Sequence, residues 1–268
     1  MITEATVPGS FSTIKAFFDS KVEAYNRPAF IKDDPVGIPH LFTKKQDIEI
    51  AALFAAVFAW GNRTTIIQKS KELMERMDMS PHAFVLEMSP QKLQALRGFK
   101  HRTFKDDDLY YFIEFLHTHY SKYKSLEDAF VKDAAISPGI NGGFVGSCLV
   151  GFRRYFFAGE HLKRTEKHIA SPEWNSSCKR LNMFLRWMVR NDKKGVDFGI
   201  WKKIKPAQLI CPIDVHVARV AKRFQLLNRP QTDWQAALEL TGYLRKLDPA
   251  DPVKYDYALF GLGVIENY

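Results

Sequence analysis

The sequence predicts an all-α fold, and three observations carry that expectation. Apolar residues recur at i, i+3, i+4 and i+7 through nearly the whole chain, the spacing that gives a helix one apolar face. Clusters of helix breakers punctuate that pattern at short intervals. No stretch alternates apolar and polar residues as a half-buried strand does.

Residues 11–26 read as a first helix. Asp33-Asp34-Pro35-Val36-Gly37-Ile38-Pro39 is dense in breakers and reads as a loop. Thr43-Lys44-Lys45-Gln46 has a capping-box pattern. It opens the segment Ile48–Trp60, whose all-round hydrophobicity predicts a helix at the centre of the core. Gly61-Asn62-Arg63 ends that helix and Thr64–Met77 forms another. Ser80-Pro81 and Ser89-Pro90 each set a proline at the favoured first position of a short helix. Asp107–Lys122 is aromatic and amphipathic, Leu126–Ala135 follows, and Ser137–Gly143 is a loop. Phe144–Phe157 carries Arg153-Arg154. Lys179–Asn191, a polar loop Asp192–Gly199, a helix opened by Asp214, then Trp234–Lys246 and Pro252–Ile265 complete the chain. There are no repeats, no low-complexity tract and no obvious linker, so residues 1–268 read as one domain.

The chain has 268 residues, 46% of them aliphatic or aromatic, enough for a sizeable core. Thirty-nine Lys+Arg against 30 Asp+Glu leave a net charge of +9, which suits a polyanionic partner. Three dispersed cysteines, Cys148, Cys178 and Cys211, fit reduced thiols and a cytoplasmic setting, and give no disulfide framework. No Cys-x-x-Cys occurs, so neither a thiolate zinc site nor a four-cysteine cluster is expected, and no metal or cofactor. No secretion signal is visible, and no run approaches the roughly 18 apolar residues that a membrane span needs.

Two segments look like a site. Pro212 and Asp214 are start signals for a basic amphipathic helix in which Val217, Val220, Ala221 and Phe224 share one face. Asp214 is either a plain N-cap or a carboxylate aimed out of the helix end for chemistry. In Lys179–Arg190, Leu181, Phe184, Leu185 and Met188 form the apolar stripe, and Lys179, Asn182, Arg186 and Arg190 form a polar one. The small residues of Ser171–Ser177 leave backbone amides near the helix start that suit a phosphate. Lys179 falls in the first turn, where the helix dipole opposes a cation and favours the neutral amine that a nucleophile needs. Otherwise it is a solvated lysine on a basic face.

These residues carry a resemblance. Pro212-Ile213-Asp214-Val215-His216, with Val217 and Arg219-Val220, resembles the site helix of the helix-hairpin-helix (HhH-GPD) DNA glycosylase superfamily. Asp47–Asn62 is similar to the family's first core helix, and Tyr255–Gly263 to its closing helix. The likeness spans most of residues 45–265. Within it, Cys178–Arg190 and Phe260-Gly261-Leu262-Gly263 look like an uncharacterised bacterial branch, a domain of unknown function.

The resemblance implies a two-lobed helical bundle with a catalytic cleft between the lobes. They would split near 1–45 plus 228–268 against 46–227. It implies that Asp214 is the catalytic carboxylate, and it puts Lys179 where bifunctional members carry the lysine that attacks the sugar C1′. Asn62 or Arg63 would reach DNA, and Arg153, Arg154, Arg180, Arg186 and Arg219 would serve the polyanion. His216 would meet a phosphate or bond the backbone. Trp60, Phe144 and Trp187 would receive a flipped base or belong to the core. The implied activity is excision of a damaged base, an oxidised purine for instance, from double-stranded DNA by a monomeric glycosylase with abasic-site lyase activity. RNA is the other polyanion, and a non-catalytic nucleic-acid module is the rival function. A helical enzyme acting on a small anionic metabolite is a third, which a basic face around Asp214 would exclude.

The sequence departs from the family in three places. Pro172-Glu-Trp-Asn-Ser-Ser177 lacks both glycines of the usual Leu-Pro-Gly-Val-Gly hairpin. The spacer between Lys179 and Asp214 is long, with the excess in Asp192–Ala207, which reads as a loop insertion. No cysteine follows Cys211, so the C-terminal iron–sulfur cluster of endonuclease III has no ligands here.

Overall fold

The computed structural model describes residues 11–134 and 141–268. Residues 137–140 of the expected Ser137–Gly143 loop lie outside the described residues, as does Ala135, the expected end of a helix. The helices are α1 (Phe11–Tyr25), α2 (Lys45–Phe58), α3 (Arg63–Arg76), α4 (Pro81–Leu86), α5 (Pro90–Ala95), α6 (Asp106–Tyr120), α7 (Glu127–Val131), α8 (Gly143–Phe156), α9 (Lys179–Val189), α10 (Val215–Arg223), α11 (Trp234–Leu247) and α12 (Tyr255–Val264). The class is all-α, as the periodicity predicts.

Local chemistry corrects several details. The breaker-rich loop is a series of 3-10 turns at Pro28–Asp33, Pro35–Gly37 and Pro39–Leu41, each with proline at its start. The capping box expected at Thr43 does not form: the N-cap is Lys44, and no side chain caps it. Asp47 instead accepts from His82 N at 2.8 Å, tying α2 to α4. A hairpin of β1 (Lys100–His101) and β2 (Phe104–Lys105) turns through Arg102 at φ 56°. Its two-residue strands are too short to show as alternation. Helix α10 stops at Arg223. Gln225 takes φ 57° and Leu226 N donates back to Ala221 O at 2.8 Å, the left-handed closure that ends helices.

Helix α2 is buried from Asp47 to Phe58 and packs on α3, α4 and α9. The one carboxylate in its middle, Glu49, is fully buried and fully used. It accepts from Tyr120 Oη (2.9 Å), Ser125 Oγ (2.6 Å), Leu126 N (3.0 Å) and Trp201 Nε1 (2.7 Å). A buried carboxylate persists only with such partners. Trp201 belongs to the segment read as a loop insertion. That segment is stitched to α9, with Phe198 N on Trp187 O (2.8 Å) and Trp201 N on Met188 O (2.9 Å). Trp201 stacks near Phe130 and Phe184 in the core.

Helix α12 packs on α1 and α10, and its two late glycines explain the closeness. A Cβ on Gly261 would collide with the Tyr25 ring, and one on Gly263 would press His216 O at 3.1 Å and Val220 at 3.2 Å. Asp108, in the first turn of α6, anchors the segment that leads to the site. It accepts from Lys105 N (2.9 Å), Thr165 Oγ1 (2.7 Å) and Arg164 (2.7 Å), and lies 3.5 Å from His168 Nε2. Burial pushes its carboxyl up, but His168 and these donors outweigh burial and hold it at about 2.

Two outcomes follow from this packing. Gly261→Ala lowers stability by about 1–3 kcal/mol through overpacking. Thermal melting reads this as roughly 2–4 °C per kcal/mol. Asp108 has a folded pKa below its unfolded one, so its contribution is present above pH ~4 and fades as pH falls through about 2. Unfolding free energies from urea titrations between pH 5 and 2.5 fall less steeply for Asp108→Asn than for the wild type, by on the order of 1–2 kcal/mol.

Candidate active site

Helices α9 and α10 begin at the same cleft, and their first residues meet there. Lys179 Nζ donates to Asp214 Oδ2 at 2.8 Å, across 35 residues of sequence. Asp214 is the N-cap of α10, and its other oxygen, Oδ1, accepts from His216 N and Val217 N, both at 2.9 Å. One carboxylate therefore does both jobs: one oxygen caps, the other holds the lysine. Burial pushes the Asp214 carboxyl up, but Lys179 and the capping amides outweigh it and leave it below the ordinary carboxylate range. The pair is partly open to solvent, Lys179 at 33% and Asp214 at 15% of the side chain.

The turn before Lys179 is built without glycine. Asn175 and Cys178 take left-handed conformations at φ 56° and 51°. Asparagine tolerates that region; cysteine is strained there. The turn is docked onto the start of α11 by Trp234 N on Asn175 O (3.1 Å) and Asn175 Nδ2 on Asp233 Oδ2 (2.9 Å). Ser171 Oγ accepts from Glu173 N at 3.2 Å. Cys178 is buried and its thiol is pushed up to about 12. At neutral pH the thiol next to Lys179 is not a nucleophile.

The cleft has a volume of about 500 Å³ and is lined by Lys179, Asp214, His216, Trp60 and Arg63, and by Asp34, Met183 and Phe260. Arg63 lies over the Phe260 ring, 5.4 Å from its centroid, and Arg102 lies over Trp60 at 4.4 Å. Trp60 Nε1 and His216 Nδ1 are buried, with no hydrogen-bond partner among the described residues. Behind the pair is a void of about 40 Å³ lined by Asp34, Arg186 and Asp256. Burial pushes Asp256 up to about 6, despite its bond from Arg186. Burial likewise raises Asp34, whose Oδ1 accepts from Val36 N at 3.0 Å.

Of the residues singled out in the sequence, Trp60, Arg63, Lys179, Asp214 and His216 come together in the cleft. Asn62 caps α3, accepting from Thr65 N at 3.1 Å. Arg180 lines an adjoining cavity and donates to Val57 O at 2.5 Å.

The other arginines are engaged within the fold. Arg153 is buried on Glu166 (2.8 Å), and Arg154 pairs with Glu173 (2.5 Å). Arg219 donates to Gly263 O and Tyr268 O at the end of α12. The polar stripe of α9 faces inward: Asn182, Arg186 and Arg190 are buried, and the two arginines pair with Asp197. Trp187 is in the core, and Phe144 lies in a separate groove with Gln208 and Arg245. Asp34 and Asp256 are the acidic groups that sequence reasoning passed over. Asp34 sits in a stretch read as a loop, and nothing local marks either one.

Lys179→Ala leaves the N-cap of α10 in place and removes the charge that holds Asp214 down. A carboxyl 13C titration of that variant places Asp214 above its wild-type position. Asp214→Asn, since asparagine caps as well as aspartate, melts within about 1 kcal/mol of the wild type.

A family model described as "Protein of unknown function (DUF2400)" matches residues 34–265. No curated protein and no solved structure matches the chain. Among the described residues, no helix is long and apolar enough to cross a membrane.

Proposed function

The chain belongs to that DUF2400 family, and we propose that it is a base-excision DNA glycosylase with lyase activity, of the HhH-GPD type, working through Lys179 and Asp214. The observation that carries this reading is the 2.8 Å contact between Lys179 Nζ and Asp214 at the mouth of a cleft. A lysine and a carboxylate so placed can share one proton and face one sugar carbon. The resemblance in sequence supplies the reaction class, and the two-lobed arrangement belongs to the same reading.

Lys179 passes a proton from Nζ to Asp214 Oδ2. The neutral amine attacks C1′ of the deoxyribose as the C1′–N bond to the base breaks, and the base leaves with the electron pair and takes the proton that Asp214 holds. Asp214, a carboxylate again, faces the positive charge that develops on the sugar. The bound nitrogen then loses its second proton and its lone pair opens the ring. The ring oxygen takes a proton and a C1′ iminium remains. Loss of a C2′ proton expels the 3′ phosphate, and water frees the lysine. The flipped base would enter beside Trp60, Met183 and Phe260, with Asp34 offering a polar contact to its edge.

The direct phosphate contacts on this reading are fewer than net charge suggests. Arg63 and His216 stand at the cleft and Arg102 beside it, whereas Arg153, Arg186 and Arg219 are used inside the fold.

Borohydride trapping tests the reading. On duplex DNA carrying an abasic site or 8-oxoguanine, the wild type gives a covalent adduct on denaturing gels and Lys179→Ala gives none. Asp214→Asn slows adduct formation by roughly 10²–10³-fold. If the wild type binds DNA but yields neither adduct nor strand cleavage across a panel of lesions, the protein is a binding module on this fold.

A further inference from the structure

The cleft at Lys179 continues beyond the pair. A cavity of about 310 Å³ shares Trp60, Ser177 and Lys179 with it. A further cavity, about 320 Å³, shares Ala170 and Ser176 with the second and ends at Trp174. Together they make one groove from Arg63 to Trp174.

Two indoles stand along it, Trp60 at the junction of the first two cavities and Trp174 at the far end, each backed by an arginine. Arg102 lies over Trp60, and the Arg153 guanidinium sits 4.0 Å from the centroid of Trp174. Arg153 is itself buried and held by Glu166 Oε2 (2.8 Å), Glu166 O (2.7 Å) and Ile169 O. Trp174 is nevertheless 62% exposed. A large flat side chain is thus fixed in solvent by a cation that is not free to move.

The acids at the Trp174 end of the groove are neutralised in place. Glu166 is paired with Arg153 and Lys163 (2.9 Å), and Glu173 with Arg154. Lys167 is exposed and pairs with no carboxylate among the described residues. Arg180 lines the middle cavity.

We propose that this groove binds an unpaired nucleic-acid strand, with bases stacked on Trp174 and Trp60 and phosphates passing Lys167 and Arg180. An exposed indole face can stack on a base only if that base is not already stacked in a duplex, and such stacking is tolerant of sequence. The inference rests on the function proposed above in one respect: it makes the target a base whose strand is unpaired on the Trp174 side.

Fluorescence anisotropy with a fluorescein-labelled oligo-dT and a blunt duplex of the same length tests it. The wild type binds oligo-dT more tightly than the duplex. Trp174→Ala weakens oligo-dT binding about tenfold, Trp174→Phe keeps most of it, and both melt like the wild type because the side chain is exposed. Lys167→Ala lowers the slope of log K against log salt by about 0.7. Equal oligo-dT affinity for wild type and Trp174→Ala, or a preference for blunt duplex, overturns the proposal. An adduct without a Trp174 effect sinks the groove alone, and a Trp174 effect without an adduct sinks the chemistry alone.

Discussion

The buried arginines of α9 fix the site. Arg190 donates to Asp192 (2.8 Å), to Asp251 (2.9 and 2.8 Å) and to Asp197. Arg186 donates to Asp197 (3.3 Å) and Asp256. The planar fork of each guanidinium suits several carboxylates at once. Both rings of charge also sit against Tyr257, with Arg186 4.3 Å from its centroid. Removing one partner from a buried pair of this kind costs about 3–5 kcal/mol, because the other charge is left in a dry place. These contacts lock α9 to the 192–199 segment and to the start of α12, and so set where Lys179 lies at the other end of α9.

Asp214 is referenced to α12 by a different route. Gly263 lets the α10 backbone approach at His216 O, and Arg219 on α10 donates to Gly263 O at 2.6 Å. Both halves of the Lys179–Asp214 pair are thus positioned against one helix, which is why a separation of 35 residues closes to 2.8 Å. The long spacer does not loosen the site. It contributes Asp197 to the network and Trp201 to the core.

The helices and the N-cap at Asp214 were legible in the sequence because their signals are local: apolar spacing, proline before the start, and a short acceptor at the cap. The direction of the α9 polar stripe was not. Helical spacing shows that Lys179, Asn182, Arg186 and Arg190 share a face. Whether that face meets water depends on Asp197, Asp251 and Asp256, which lie far along the chain. Two of the basic residues expected at phosphates, Arg153 and Arg186, are buried internal ties, while the exposed Arg219 donates to main-chain carbonyls at the end of α12. The aromatic candidates split for the same reason. Trp60, Phe144 and Trp187 are alike in sequence, and only packing separates a cleft wall from a core residue and a remote groove. The turn at Asn175 and Cys178 gave no glycine signal: its left-handed positions carry side chains, and Asn175 is held there by contacts with the start of α11.

The resting pair sets a condition on any chemistry by Lys179. Asp214 is held below the ordinary carboxylate range because Lys179 and two capping amides outweigh burial, so in the open cleft it is the charged acceptor of the bond from Lys179. The ion pair is favoured there because water still reaches Lys179. A substrate that fills the cleft removes that water. Loss of solvation penalises both charges of the pair, while a neutral amine beside a neutral acid loses little. Filling the cleft thus moves the proton toward Asp214, within a bond already formed at 2.8 Å. The cap contacts on Oδ1 keep the carboxyl in place while Oδ2 takes the proton. On the proposed reading, the same desolvation that admits a flipped base also makes the nucleophile.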